Sequence, residues 1–234
     1  MRPAATSPAA RRRLGFIPAV LAAAAVLLAA CGSGPSLSPP PSVDPAASAS
    51  PAPATPLPPG AFTFDLPDGW QVVEVDGDHD ALLAELAATN PDFAESLGAR
   101  LENLPDSATY VAFDGSDEAV AAGDLLTLIV TEVDLPPDVT LAKFAETVRS
   151  QAEMVAEQDV GLRRVLVTAG EAYSLAYAAP FARPDGQPGA VAVTQVLYTL
   201  PGRGYVMTFA APPDRANDRA KVVADIATSF SIAL

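Results

Sequence analysis

The chain has one cysteine in 234 residues, and its position constrains how everything after it can fold. Cys31 closes a 17-residue apolar run, Leu14 to Ala30, that follows Arg11, Arg12 and Arg13. A charged start, an apolar middle and small residues ahead of a cut site are the marks of a secretory signal. The run is at the lower limit for a membrane span, is mostly alanine, and is interrupted by Pro18. An uncleaved N-terminal membrane helix is the alternative, and both readings place the remainder outside the cytoplasm. Beyond Cys31 there is no thiol. That part of the chain has no disulfide, no cysteine nucleophile and no thiolate metal ligand, so a hydrophobic core must hold it.

Leu28-Ala29-Ala30-Cys31 resembles the lipobox of bacterial lipoproteins. The resemblance implies removal of residues 1–30 as a signal peptide and acylation of Cys31, which becomes the new N-terminus. It implies a cell-membrane address, lipid-anchored and facing the extracytoplasmic side, with the lipid membrane as the first partner. One acyl chain holds a protein only weakly, at about 0.8 kcal/mol per buried CH₂. The two or three chains that the lipoprotein pattern implies would anchor it firmly.

Residues 31–60 form a tether. Ten of the 26 residues from 35 to 60 are proline, and most of the others are Ala, Ser and Thr. Such a segment buries too little to offset its ordering entropy and favours a polyproline II spacer. At ~3.1 Å per residue its reach is at most about 80 Å. Loss of the leader removes four of the 14 basic residues and none of the 28 acidic ones, taking the formal charge from −14 to −18. This excludes nucleic acid as the expected partner, because its binders carry basic patches. Like charge also keeps the domain from lying flat on an anionic bilayer.

Residues 61–234 are long enough for one domain with a real core. Alternation over Phe62–Leu66 predicts a strand, Pro67-Asp68-Gly69 a turn, and Trp70–Val75 a returning strand. Helices are expected over Ala81–Ala88 and from Asn90-Pro91 to about Leu104, with Pro91 at the tolerated first position. Ala108–Phe113 and Leu125–Val133 read as strands, the second apolar on both faces and so central. Thr140 is an N-cap for a helix to about Glu157, with Leu141, Phe144, Ala145, Val148 and Val155 inward. Leu162–Val167, Ala172–Ala178, Ala190–Leu200 and Tyr205–Ala210 follow as an antiparallel meander, with a loop at Pro180–Gly189. Pro212-Pro213-Asp214 is expected to cap a last helix whose core side is Ala216, Ala220, Val223, Ala227 and Phe230. The class is α+β: a central, mainly antiparallel sheet flanked by helices on both faces.

Phe62-Thr-Phe-Asp-Leu-Pro-Asp-Gly-Trp70 resembles the opening of PsbP/Mog-like domains, and Tyr205-Val-Met-Thr-Phe209 with the helix ending Ile226-Ala-Thr-Ser-Phe230 resembles their close. The resemblance covers the two ends of the domain. It implies an α/β/α sandwich used by binding and accessory proteins, and it brings no active site with it.

The residues flag little chemistry. His79 is the only histidine and lies among Asp76, Asp78 and Asp80, a candidate divalent-cation cluster. An EF-hand loop beginning at Asp76 would need Gly at 81 and Glu at 87, where the chain has Ala81 and Ala87. A solvated turn ahead of a helix N-terminus is the simpler reading. There is no nucleophile elbow, no metalloprotease pair and no phosphate or dinucleotide loop, so no cofactor and no enzyme activity is expected. Tyr173 and Tyr177 share a face by period two and are the candidates for a ligand or partner surface, with packing of sheet against helix as the alternative. Arg163-Arg164 is the only basic pair after the leader and reads as a solvated strand end. The expectation is a non-catalytic binding or accessory module of the cell envelope, acting on an envelope protein or small ligand. An envelope hydrolase and a carrier of a small apolar ligand are the alternatives. A carrier needs an enclosed apolar pocket of ~300 Å³ or more.

Overall fold

The computed structural model describes residues 62–156, 158–182 and 188–233. The expected signal peptide, Cys31 and the expected tether lie outside them. Among the described residues no helix is long and apolar enough to cross a membrane.

The chain opens with β1 (Phe62–Thr63) and β2 (Trp70–Val73), then α1 (Asp80–Thr89), α2 (Pro91–Glu102), β3 (Ala108–Asp114), α3 (Asp117–Ala122) and β4 (Thr127–Asp134). It continues with α4 (Leu141–Glu153), β5 (Gly161–Val167), β6 (Gly170–Ala182), β7 (Pro188–Leu200), β8 (Arg203–Ala211), α5 (Ala216–Ser229) and β9 (Ser231–Ile232). Seven strands form one antiparallel sheet in the order β2-β3-β4-β8-β7-β6-β5. The expected meander is β5 to β8, and it joins the first half of the domain through β4 and β8. That seam runs from Thr127 opposite Ala210 to Asp134 opposite Arg203. Both strands read as apolar runs because helices cover both of their faces.

On one face, Leu128, Val130, Tyr205, Met207 and Phe209 pack under Val223, Ile226 and Ala227 of α5 and under Phe230. The other face carries two main cores side by side, with a smaller cluster of Ala179, Val191, Val193 and Ala210 next to Tyr177. Phe93, Leu97 and Leu101 of α2 cover Val111, Phe113 and Ile129. Phe144, Ala145 and Val148 of α4 cover Val133, Leu175, Leu197 and Val206. The α+β sandwich with helices on both faces is therefore as expected.

Local signals explain most helix starts. Asn90 Oδ1 accepts from Phe93 N at 3.1 Å, with Pro91 directly inside the helix. Thr140 Oγ1 accepts from Lys143 N at 3.3 Å, and Ser116 Oγ from Ala119 N at 3.3 Å. Gly204 has a packing reason: a Cβ there would lie 2.8 Å from Phe144 Cζ, so only glycine lets α4 approach β8.

Several expectations need correction. β1 does not form a hairpin with β2. It pairs with β9, Phe62 opposite Ile232 and Thr63 opposite Ser231, while β2 pairs with β3. The turn before Trp70, with Gly69 at φ +84°, sends the chain to a different sheet. The aromatic rings explain the choice: Phe62 and Phe64 lie 5.9 and 5.3 Å from Phe230, and 5.8 and 5.5 Å from Tyr110, centroid to centroid. α3 and β9 had no reading in the sequence, being too short to show a period. α4 ends at Glu153, where Met154 caps it, rather than near Glu157, which lies outside the described residues. β6 and β7 reach Ala182 and Pro188, so the expected loop Pro180–Gly189 is shorter at both ends. α5 begins after Arg215 with no side-chain cap, so Pro212-Pro213-Asp214 turns the chain without capping it.

Candidate functional site

α5 packs against β8, β7 and β5 on its face of the sheet. There lies a cleft of about 160 Å³. Its helix wall is Ala216, Ala220 and Ala224, one residue per turn, with Val223 and Ala227 deeper. Its floor follows the strand register: Ala192 beside Ala211, then Thr194 beside Phe209, then Arg163, Ser174 and Val196 in one row. The cleft exists because of size. Alanine at three successive turns cannot reach a floor built of Ala192, Thr194 and Ser174, whereas Val223, Ile226 and Phe230 do reach theirs. Ala220 and Ala224 are exposed along the opening. Ala216 and Ala220, expected in the core, form the side of a groove instead.

Arg163 and Arg219 stand on opposite walls, and their circumstances differ. Arg219 is neutralised: its guanidinium lies 2.9 Å from Asp114 Oδ2 and 2.7 Å from Asp124 Oδ2. Both carboxylates are buried, at 4% and 7% exposure, so the arginine pins α5 to the ends of β3 and α3. Arg163 is exposed, and among the described residues no carboxylate makes an ion pair with it. The basic pair is split by the strand: Arg163 faces the cleft, while Arg164, on the opposite face, lies 3.2 Å from Glu171 and 6.0 Å from the centre of the Tyr173 ring. The expected solvated strand end is thus mid-strand, on the free edge of the sheet. Among the described residues no carboxylate and no imidazole lines the cleft.

The residues chosen from sequence are elsewhere. His79 Nε2 is 2.7 Å from Glu74 O, and Asp78 Oδ1 accepts from Asp80 N at 3.0 Å. That is a self-contained turn at the start of α1. Among the described residues no three His, Cys, Asp or Glu side chains converge as a metal site requires. Asp76, Asp78, His79 and Asp80 are therefore neighbours in sequence whose ligand atoms do not gather. Tyr173 and Tyr177 do share a face, and both pack against the α4 core. Burial pushes the Tyr177 phenol up to about 12.

Sequence reasoning missed Arg100 on that same face. Its Nη1 donates to Thr127 Oγ1 at 2.7 Å and to Ala210 O at 3.1 Å. The residue as a whole is only partly buried, yet desolvation brings its guanidinium down to about 10, and it stays a cation at neutral pH. Nothing marks it in the sequence, since an arginine late in a helix is ordinary. The cleft did leave a trace: alanines at 216, 220 and 224 opposite strands that also carry small residues.

No protein-family model matches the chain, and no curated protein does. Solved structures do. The chain is similar to the cyanobacterial PsbP protein CyanoP from Synechocystis sp. PCC 6803, at 15% identity over 73% of this chain and 86% of that one, with a TM-score of 0.44. LpqN of Mycobacterium tuberculosis, described as involved in cell envelope biogenesis, is 15% identical over 75% and 86%, with a TM-score of 0.43. The Ran-binding protein Mog1p of Saccharomyces cerevisiae is 13% identical over 74% and 90%, with a TM-score of 0.42.

Proposed function

We propose that this is a lipid-anchored extracytoplasmic lipoprotein whose domain serves the cell envelope as a non-catalytic binding or accessory module. The sequence around Cys31 carries the reading: a basic start, an apolar run, Leu28-Ala29-Ala30 and then the only cysteine. The proline-rich tether supports it, because a spacer directly after an anchor holds a domain away from the surface. The cleft supports the binding part, with apolar walls, the hydroxyls of Ser174, Thr194 and Thr228, and two arginines, Arg163 and Arg219.

The test is Cys31→Ala in growing cells fed radioactive palmitate. The expected outcome is loss of the label and retention of the leader, read as a larger band. Undiminished labelling of the variant removes the anchor. Crosslinking in intact cells then tests the module: a reproducible partner or ligand is expected, and none above a no-crosslinker control counts against it.

A further inference from the structure

The α5 cleft combines three features that act on one ligand. It has an apolar interior, because Ala216, Ala220 and Ala224 stop short of the sheet. It has a size: about 160 Å³, and a cavity of about 150 Å³ is enough for one benzene-sized group. It also has a charge, since of its two arginines Arg219 is held by Asp114 and Asp124 while Arg163 carries no ion pair among the described residues. In a domain of strongly negative charge, a free arginine beside an apolar cleft is a local reversal of sign.

We propose that this cleft binds a small carboxylate with an apolar end of about six carbons, the apolar end lying between α5 and the sheet and the carboxylate on the Arg163 guanidinium. The volume is about half of what a carrier enclosing a whole ligand needs, so the site grips one end of its ligand and leaves the rest in solvent. Ser174 and Thr194 put hydroxyls beside Arg163 and deeper along the floor. They suit a carboxylate at the mouth better than a purely hydrocarbon guest. The inference rests on the reading of the domain as a binding module and gives that module a ligand class.

The test uses the full chain in phosphatidylcholine nanodiscs, with methyl-labelled alanine and valine observed by NMR. Hexanoate is the probe, hexanol its uncharged control, and a tripeptide ending in leucine the polypeptide alternative. Hexanoate is expected to shift the methyls of Ala220, Ala224, Val196 and Val223 saturably. Arg163→Gln should weaken hexanoate about fivefold and leave hexanol unchanged, the range of an exposed charge pair. Ala220→Leu, which fills the groove, should abolish both. Absence of saturable shifts, or equal hexanoate affinity in Arg163→Gln, overturns the proposal even if Ala220→Leu fails to fold. Tighter binding of the tripeptide than of hexanoate reassigns the site to a polypeptide C-terminus and overturns it too. Failure here leaves the palmitate result at Cys31 untouched, so the two readings fall separately.

Discussion

Arg219 and Tyr177 show how differently single buried polar groups load this fold. Arg219 bridges two buried carboxylates at once, and among the described residues Asp124 Oδ1 has no hydrogen-bond partner. Arg219→Met would leave Asp114 and Asp124 facing each other without a cation. Breaking a buried pair by removing one partner costs about 3–5 kcal/mol, and a loss of that size is expected in urea denaturation. Asp124→Asn should cost less, because Asp114 still holds the arginine. Tyr177 loads the fold through pH. Its folded value of about 12 is above the unfolded value near 10, so its neutral form is the one the fold favours. The contribution is fully present below about pH 10 and is lost as pH rises toward about 12, up to about 2–3 kcal/mol. Tyr177→Phe should flatten that alkaline decline. Burial also raises Tyr110 and Tyr205, so ultraviolet phenolate titration of the variant should show one late-ionising tyrosine fewer than the parent chain. An unchanged titration would contradict the burial argument.

Among the elements, the capped helices were the most legible in the sequence, and the reason is local. Asn90-Pro91 and Thr140 announce helix starts through a side-chain oxygen that is itself part of the hydrogen bonding. Asn90 does more, because its Nδ2 also donates to Val120 O of α3 at 2.8 Å. Asn90→Ala therefore removes a cap and a tie between helices. A loss of about 1–2 kcal/mol is expected in thermal or urea unfolding, against ~1 for a cap alone. An effect below half of this would show that Gly123 N, which also donates to Val120 O at 3.2 Å, satisfies that carbonyl without Asn90. The pairing of β1 was not legible. Two residues of strand have no period, and the partner is more than 160 positions away, chosen by rings that meet only in the folded state. α3 failed for the same reason of length, although Ser116 is a good cap. The cleft was legible only as an error: alanines 216 and 220 fit a core stripe by spacing, and their shortness turned the stripe into a groove. His79 and its aspartates show the converse, since proximity in sequence did not bring their ligand atoms together.

As a whole, the molecule is two halves of sheet zipped along β4 and β8, with α5 on one face and four helices on the other. The class of the domain followed from an apolar strand, a meander and two helical groups. The order of the halves did not, because nothing in the sequence says that β8 returns to β4 rather than stopping at the edge. The free edges of the sheet are β2 and β5, and β5 carries both Arg163 and Arg164. Charged residues along an edge discourage pairing with a second copy, and two such edges would bring four arginines together.

The ribbon of β1 and β9 has a mechanical meaning. Among the described residues, a pull from the N-terminal side reaches Phe62 first. There it meets two residues of β9 and a cluster of aromatic rings, and not the seven-stranded sheet. The first thing to yield under tension is thus a short clasp that also holds the C-terminal end of the chain. The sheet, the seam and the cleft lie behind it, so a tug that opens the clasp frees the segment ahead of β2 before it disturbs them.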